Sequence, residues 1–279
     1  MELTLTLNGC TYKTDTEKAL SLAIPLVFDG AQPNHFGAPI AHAETLEADG
    51  FVGDTRRGGS CNVSRLTLVP HCNGTHTESV SHIVDELLPV GEILSPPLLP
   101  CIVVSVTPET LASCSEHYKP NPEGRDLVVS GRRLAEALSQ QPAANHCAAI
   151  VIRTLPNSEE KCRRAYAEGQ PPVFFSSEAM ELLLTFEHLL VDFPSIDKMY
   201  DEGALDNHHS FWRIDAGSHS LGAQARTQCT VTEMVFVPDH VPDGLYLLNL
   251  QVPAFRSDAA PTRLSATLSG LNSEITSNK

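Results

Sequence analysis

Residues 70–83 read PHCNGTHTESVSHI and place His71, His76, Glu78 and His82 within twelve consecutive positions. Imidazole and carboxylate donors together suit a borderline divalent ion such as zinc or manganese. Gly74 in the middle marks a turn leading into a short extended or helical segment. Along an extended backbone residues i and i+2 share a face, so His76 and Glu78 could grip one ion. The run just before it, Ser64 to Val69 (SRLTLV), reads as a strand that delivers the chain into the histidines.

Working outward, period-two or β-branched runs mark further strands. Leu3 to Leu7 alternates as LTLTL, whereas Cys101 to Val106 (CIVVSV) and Ala148 to Arg153 (AAIVIR) are continuously apolar. The second of these follows a helical pattern, SGRRLAEALSQ. Pro172 to Phe175, a helix from Ser177 to about His188, and Leu189 to Val191 read as a β-α-β unit, with Ser177 as the helix N-cap. The last third is β-rich, with strands over Val231 to Val237, Leu245 to Gln251 and Thr262 to Leu268. Proline-rich stretches at 94–100, 119–122 and 170–172 read as loops, and no internal repeat is found. The expectation is one α+β or mixed α/β domain over residues 1–269, with a polar tail at 270–279.

Composition narrows the function classes. At 279 residues, with 42% hydrophobic and 19% charged side chains, the chain describes an ordinary globular protein. The net charge of -15 argues against nucleic acid or an anionic membrane as partner, since both would repel it. No apolar run approaches the ~20 residues of a membrane span. The N-terminal MELTLTLNGCTYKTD lacks the pattern of a signal peptide. Eight scattered cysteines without a CxxC pair read as reduced thiols, which makes the cytoplasm the expected location.

Two further places carry candidate chemistry. In VDFPSIDKMYDEGALDNHHSF a strand ends at Asp192 and a loop follows with adjacent His208 and His209. Glu233 is a lone carboxylate inside the apolar strand VTEMVFV, where it must face solvent or meet a cation. His35, His42, His117, His146, His188, His219 and His240 have no companion ligand at useful spacing and are expected to be ordinary. The cluster is not a zincin HExxH helix, and the chain has no GxSxG elbow or P-loop.

The ordered set of motifs resembles the cyclase family of metal-dependent hydrolases, which includes kynurenine formamidases and isatin hydrolases. Gly74, Thr75 and His76 match the GTH of its HxGTHxDxPxH signature, Glu78 stands at the aspartate and His82 matches the last histidine. Asp192 to Asp197 (DFPSID) resembles the D-x-P-S-x-D loop, His208 and His209 the histidine after it, and Glu233 the strand glutamate. Ser257 to Leu268 resembles the closing turn and strand, so the likeness runs from about residue 20 to 268. Three departures stand out. His71 lies three residues before Gly74 rather than two, leaving Cys72 in the usual ligand place. Glutamate replaces the aspartate, and Val80 replaces the proline.

The resemblance implies a single domain of the swivelling β/β/α type and one or two divalent ions, zinc or manganese. It implies His71 (or Cys72), His76 and Glu78 at one ion, and Glu78, one of His208 and His209, and Glu233 at a second or in a shared site. His82, an imidazole suited to proton transfer near neutral pH, would be the acid or base, with Glu233 also catalytic. Asp192, Ser195 and Asp197 would brace the metal shell or the loop. Phe211 and Trp212 would either wall an aromatic substrate or pack in the core.

The activity implied is metal-activated hydrolysis of an amide, formamide or cyclic amide or ester. It would be arylformamidase-like and belong to tryptophan catabolism, in a homodimer or larger assembly. Alternatives are a metal-dependent cyclase or dehydratase without net hydrolysis, and a catalytically decayed, metal-stabilised binding protein.

Overall fold

The continuously apolar runs form the centre of a nine-stranded mixed sheet. In spatial order its strands are Ala259–Pro261, His76–Glu78, Thr230–Glu233, His188–Val191, Ala149–Thr154, Leu98–Val106, Gly244–Gln251, Arg263–Leu268 and Leu20–Ser21. The computed structural model describes residues 1–166 and 171–268, so the tail expected at 270–279 lies outside the described residues. The architecture is the mixed α/β domain that the sequence indicated.

Four adjacent strands, from Thr230–Glu233 to Leu98–Val106, are parallel; the flanking pairs are antiparallel. Parallel strands covered on both faces need apolar side chains at every position, which is why CIVVSV and AAIVIR do not alternate. Ile102, Val104, Ile150, Ile152, Leu189 and Val191 face one core together with Leu134, Met180, Phe211 and Trp212 from the helices. Val103, Val151 and Leu190 face the other, with Val235, Tyr246, Leu248 and Leu264.

Local boundaries differ from expectation in ways that have physical causes. The helix after Phe175 is capped by Ser176, whose Oγ accepts from the Ala179 amide at 3.1 Å, and spans only Ser177–Leu183. Phe174–Phe175 pairs in parallel with Leu127–Val129 in a separate three-stranded sheet. It therefore forms no β-α-β unit with His188–Val191. The strand expected over Val231 to Val237 stops at Glu233, where Met234 takes a φ of 54° that breaks the extended backbone. The run SRLTLV supplies Ser64–Thr67, paired with His42–Thr45 in a two-stranded ribbon of its own, all four of its residues exposed.

His188 illustrates an ordinary histidine with a pH consequence. It is buried, its Nδ1 is 2.9 Å from Thr230 Oγ1, and burial pushes its pKa down from 6.5 to about 4. On acidification the unfolded chain takes the proton first, so this stability is full above about pH 6.5 and lost as pH falls towards 4. Urea unfolding of wild type and His188→Gln, followed from pH 7 to pH 4, should show a pH dependence about 3 kcal/mol smaller in the variant. Equal slopes would assign the acid sensitivity to other groups.

Candidate metal centre

Strand register assembles the core of the site. Glu233 stands directly opposite His76, and Val231 opposite Glu78, across the antiparallel pair. His76, Glu78 and Glu233 therefore share one face. Thr77 points to the other, where its Oγ1 lies 2.8 Å from Thr232 Oγ1 and accepts from Thr262 Oγ1 at 2.7 Å. On the same face His76 Nε2 is 3.4 Å from Glu233 Oε2. Glu233 Oε1 accepts from the Ile196 amide at 2.8 Å, which fixes the carboxylate of this buried strand residue.

The unusual spacing of His71 has a simple explanation. Pro70–Asn73 forms one helical turn with Pro70 at its start, so the additional residue is taken up in the coil. His71 Nε2 reaches 3.6 Å from Glu78 Oε2. Among the described residues Cys72 belongs to none of the three donor groups that could hold an ion, and its thiol is pushed up by burial and by Glu233. After Glu78 a short turn over Val80–His82 folds the chain back, placing His82 Nε2 3.9 Å from Glu78 Oε2.

The histidine pair sits on a helix, Asp206–Trp212, rather than in a loop. Successive helical residues diverge by about 100°, so only one can face the sheet. That one is His208, with Nε2 2.8 Å from Glu78 Oε1 and 3.8 Å from Glu233 Oε1. His209 is buried and joins none of the donor groups found among the described residues. Behind His208, Asp197 Oδ2 accepts from Nδ1 at 2.5 Å, while Asp197 Oδ1 accepts from Tyr118 OH at 2.9 Å and the Asn207 amide at 2.6 Å. These bonds fix Asp197 against the His208 ring. Ser195 Oγ in turn accepts from the Asp197 amide at 3.2 Å. Asp192 joins none of the donor groups found among the described residues. It pairs with buried Lys161 at 2.7 Å and with Thr154 at the ends of neighbouring strands.

Phe211 and Trp212 are fully buried in the helical core, and Trp212 Nε1 donates to Cys229 O at 2.9 Å. A cavity of about 1290 Å³ lies elsewhere, lined by Phe36, Asp126, Phe174, Lys198, Tyr200 and Leu205, and holds none of the clustered donors. Next to Phe36, His35 is buried with both ring nitrogens unpaired, and burial holds its pKa at about 4. One residue was missed by sequence reasoning altogether. Asp258, just before the Ala259–Pro261 strand, places Oδ2 3.2 Å from His71 Nε2 and 3.8 Å from His82 Nδ1.

The electrostatics are those of interleaved opposite charges. Burial alone would raise Glu78, but the imidazoles of His82 and His208 hold it well below the usual carboxylate range. Burial alone would lower His208, but Glu78 and Asp197 raise it well above the ordinary imidazole value. Asp258 is likewise held low by His71 and His82. A cation entering here displaces protons from imidazoles.

Two donor atoms of the buried centre, His76 Nε2 and Glu78 Oε2, have no hydrogen-bond partner, and neither has Nε2 of the adjoining, partly exposed His71. Buried polar atoms are almost always satisfied, so convergent orphans on ligand-type residues fit a divalent ion. The buried group His76, Glu78 and Glu233 and the adjoining group Glu78, His82 and His208 each offer donor atoms within 4.8 Å of one another.

The sequence matches the family model Cyclase, described as "Putative cyclase", over residues 2–198. No curated protein matches it. Isatin hydrolase A from Labrenzia aggregata, bound to benzyl benzoate, superposes with a TM-score of 0.59 at 14% identity, covering 91% of this chain and 94% of that one. A "predicted metal-dependent hydrolase" from Bacillus stearothermophilus gives 0.56 at 16% identity, covering 90% and 98%. Isatin hydrolase A from Ralstonia solanacearum gives 0.55 at 14%, covering 96% and 92%. At these identities the likeness is one of fold.

Proposed function

Because the chain belongs to the Cyclase family, we propose that it is a metal-dependent hydrolase acting on a small molecule with an amide, formamide or cyclic amide or ester bond. The observation that carries this reading is the convergence of buried, unpaired His76 Nε2 and Glu78 Oε2 beside Glu233 and His208. His76, Glu78, Glu233 and His208 would hold the ion, zinc or manganese. When bound, it supplies a water of lowered pKa and polarises the substrate carbonyl.

The protein's own groups divide the remaining work. Asp197 holds His208 in the tautomer that leaves Nε2 free to donate its lone pair. The Ile196 amide holds Glu233 in place. His82, half-buried at the open edge with Nε2 turned towards Glu78, takes the proton of the attacking water and returns it to the departing nitrogen or oxygen. Arylformamidase-like activity and a homodimeric state belong to the same reading. The exposed His42–Thr45/Ser64–Thr67 ribbon, too small to be stable alone, is a surface that a second copy would cover.

The test is turnover of a formanilide, a lactam and a lactone by metal-depleted protein with zinc or manganese restored. Product heavier than substrate by one water, abolished by chelator, is the expected result. Product of unchanged mass would indicate a cyclase, loss of water a dehydratase, and metal-loaded protein inert on every substrate would remove the catalytic reading.

A further inference from the structure

His71, His82 and Asp258 adjoin the buried donors, with His71 Nε2 3.6 Å and His82 Nε2 3.9 Å from Glu78 Oε2. All three are partly exposed, and their ligand atoms lie within 4.8 Å of one another. The backbone holds them there: Ser79, between Glu78 and His82, donates its amide to Asp258 O at 2.9 Å, and Ala259 pairs with Glu78. The two imidazoles are stacked, with centroids 4.5 Å apart and planes 26° apart, and His71 Nε2 and His82 Nδ1 both approach Asp258 Oδ2.

The contrast with Asp197 defines what Asp258 does. Asp197 meets His208 on Nδ1, the nitrogen turned away from the donors, as an orienting carboxylate does. Asp258 meets His71 on Nε2, the nitrogen that faces Glu78. Its Oδ2 lies 3.2 Å from that atom, which nonetheless makes no hydrogen bond, and 3.8 Å from His82 Nδ1. Ligands about 2.1 Å from one ion are separated by roughly 3 to 4 Å, which matches both distances.

We infer that His71, His82 and Asp258 form a second, weaker divalent-cation site at the mouth of the buried centre, and that its occupation inhibits the enzyme. Two partly exposed imidazoles and one solvated carboxylate bind less tightly than the enclosed set behind them. An ion on His82 Nδ1 confines the ring proton to Nε2, the nitrogen turned towards Glu78. His82 can then no longer accept the proton of the attacking water, so excess metal arrests the step that His82 serves. The inhibitory half of this inference rests on the function proposed above; the binding half does not.

Calorimetric titration of the metal-depleted chain with zinc decides the matter. Wild type should show a tight and a weak class of site. Asp258→Asn should weaken only the weak class, by at least about tenfold, and His76→Ala should remove the tight one. Survival of tight binding in Asp258→Asn shows that the variant is folded, and Asp258→Ser provides a second substitution. A single class in wild type that is lost in His76→Ala leaves the buried centre standing and overturns the outer site. A weak class undiminished in both Asp258 variants, or both classes lost together in them, also overturns it. No zinc binding in wild type overturns both readings. Where turnover is measurable, excess zinc should inhibit wild type; inhibition of the same strength in Asp258→Asn would overturn the inhibitory role.

Discussion

Purified His76→Ala protein is expected to contain less than stoichiometric metal and to lose turnover by roughly three orders of magnitude or more, since a metal contributes several kcal/mol to a hydrolytic transition state. His76 is the right residue to remove because it is fully buried, stands opposite Glu233 in the sheet register and has an Nε2 with no hydrogen-bond partner. Its Nδ1 is held 3.0 Å from Gly74 O, so the ring already points its other nitrogen at the centre. The measurement is metal content by mass spectrometry, paired with thermal unfolding with and without added zinc. Wild type should gain stability from zinc and the variant should not, because an ion stabilises only the state that binds it. Full metal content in a folded His76→Ala chain would remove His76 from the ligand set.

The second large effect is expected at Asp197, which lies behind His208. Its carboxylate accepts from His208 Nδ1, Tyr118 OH and the Asn207 amide, all of them buried. Asp197→Ala leaves these donors without their acceptor, at a cost of about 3–5 kcal/mol in folding stability. It also frees the His208 ring to rotate, which should weaken metal binding about 10- to 100-fold. Asp197→Asn retains one acceptor oxygen and should fall between the variant and wild type in both respects. Denaturant melts and competition with a chelator of known affinity read the two effects separately. Unchanged metal affinity in Asp197→Ala would mean that His208 is not a ligand.

What the sequence could reveal depended on how local each relation is. His76 and Glu78 are two apart on a strand, so alternation alone places them on one face. The motif order then brings in Glu233, whose register opposite His76 no periodicity could supply. His208 could not be separated from His209, because the choice depends on Asp206–Trp212 being a helix, and the loop-like residues before it gave no such signal. Trp212 was ambiguous for the same reason: on that helix it turns into the core and packs behind His208, with centroids 5.5 Å apart. Asp258 was illegible. It is an ordinary aspartate in a turn, and only the pairing of Ala259 with Glu78 brings it to His71 and His82. A carboxylate one residue before a strand that borders the cluster is the signal that would have found it.

The His76–Glu78 strand lies between Thr230–Glu233 on one side and Ala259–Pro261 on the other. Both neighbours come from the far end of the described chain, so the donors meet only through contacts of very long sequence separation. Such contacts carry the largest loop-closure cost and form late. On a ribosome, the histidine-rich segment emerges with neither neighbour yet made, and both of its edges stay unpaired until the last third of the chain has followed. Metal capture is therefore coupled to the end of folding rather than its beginning, and a loaded centre reports that the whole sheet has closed.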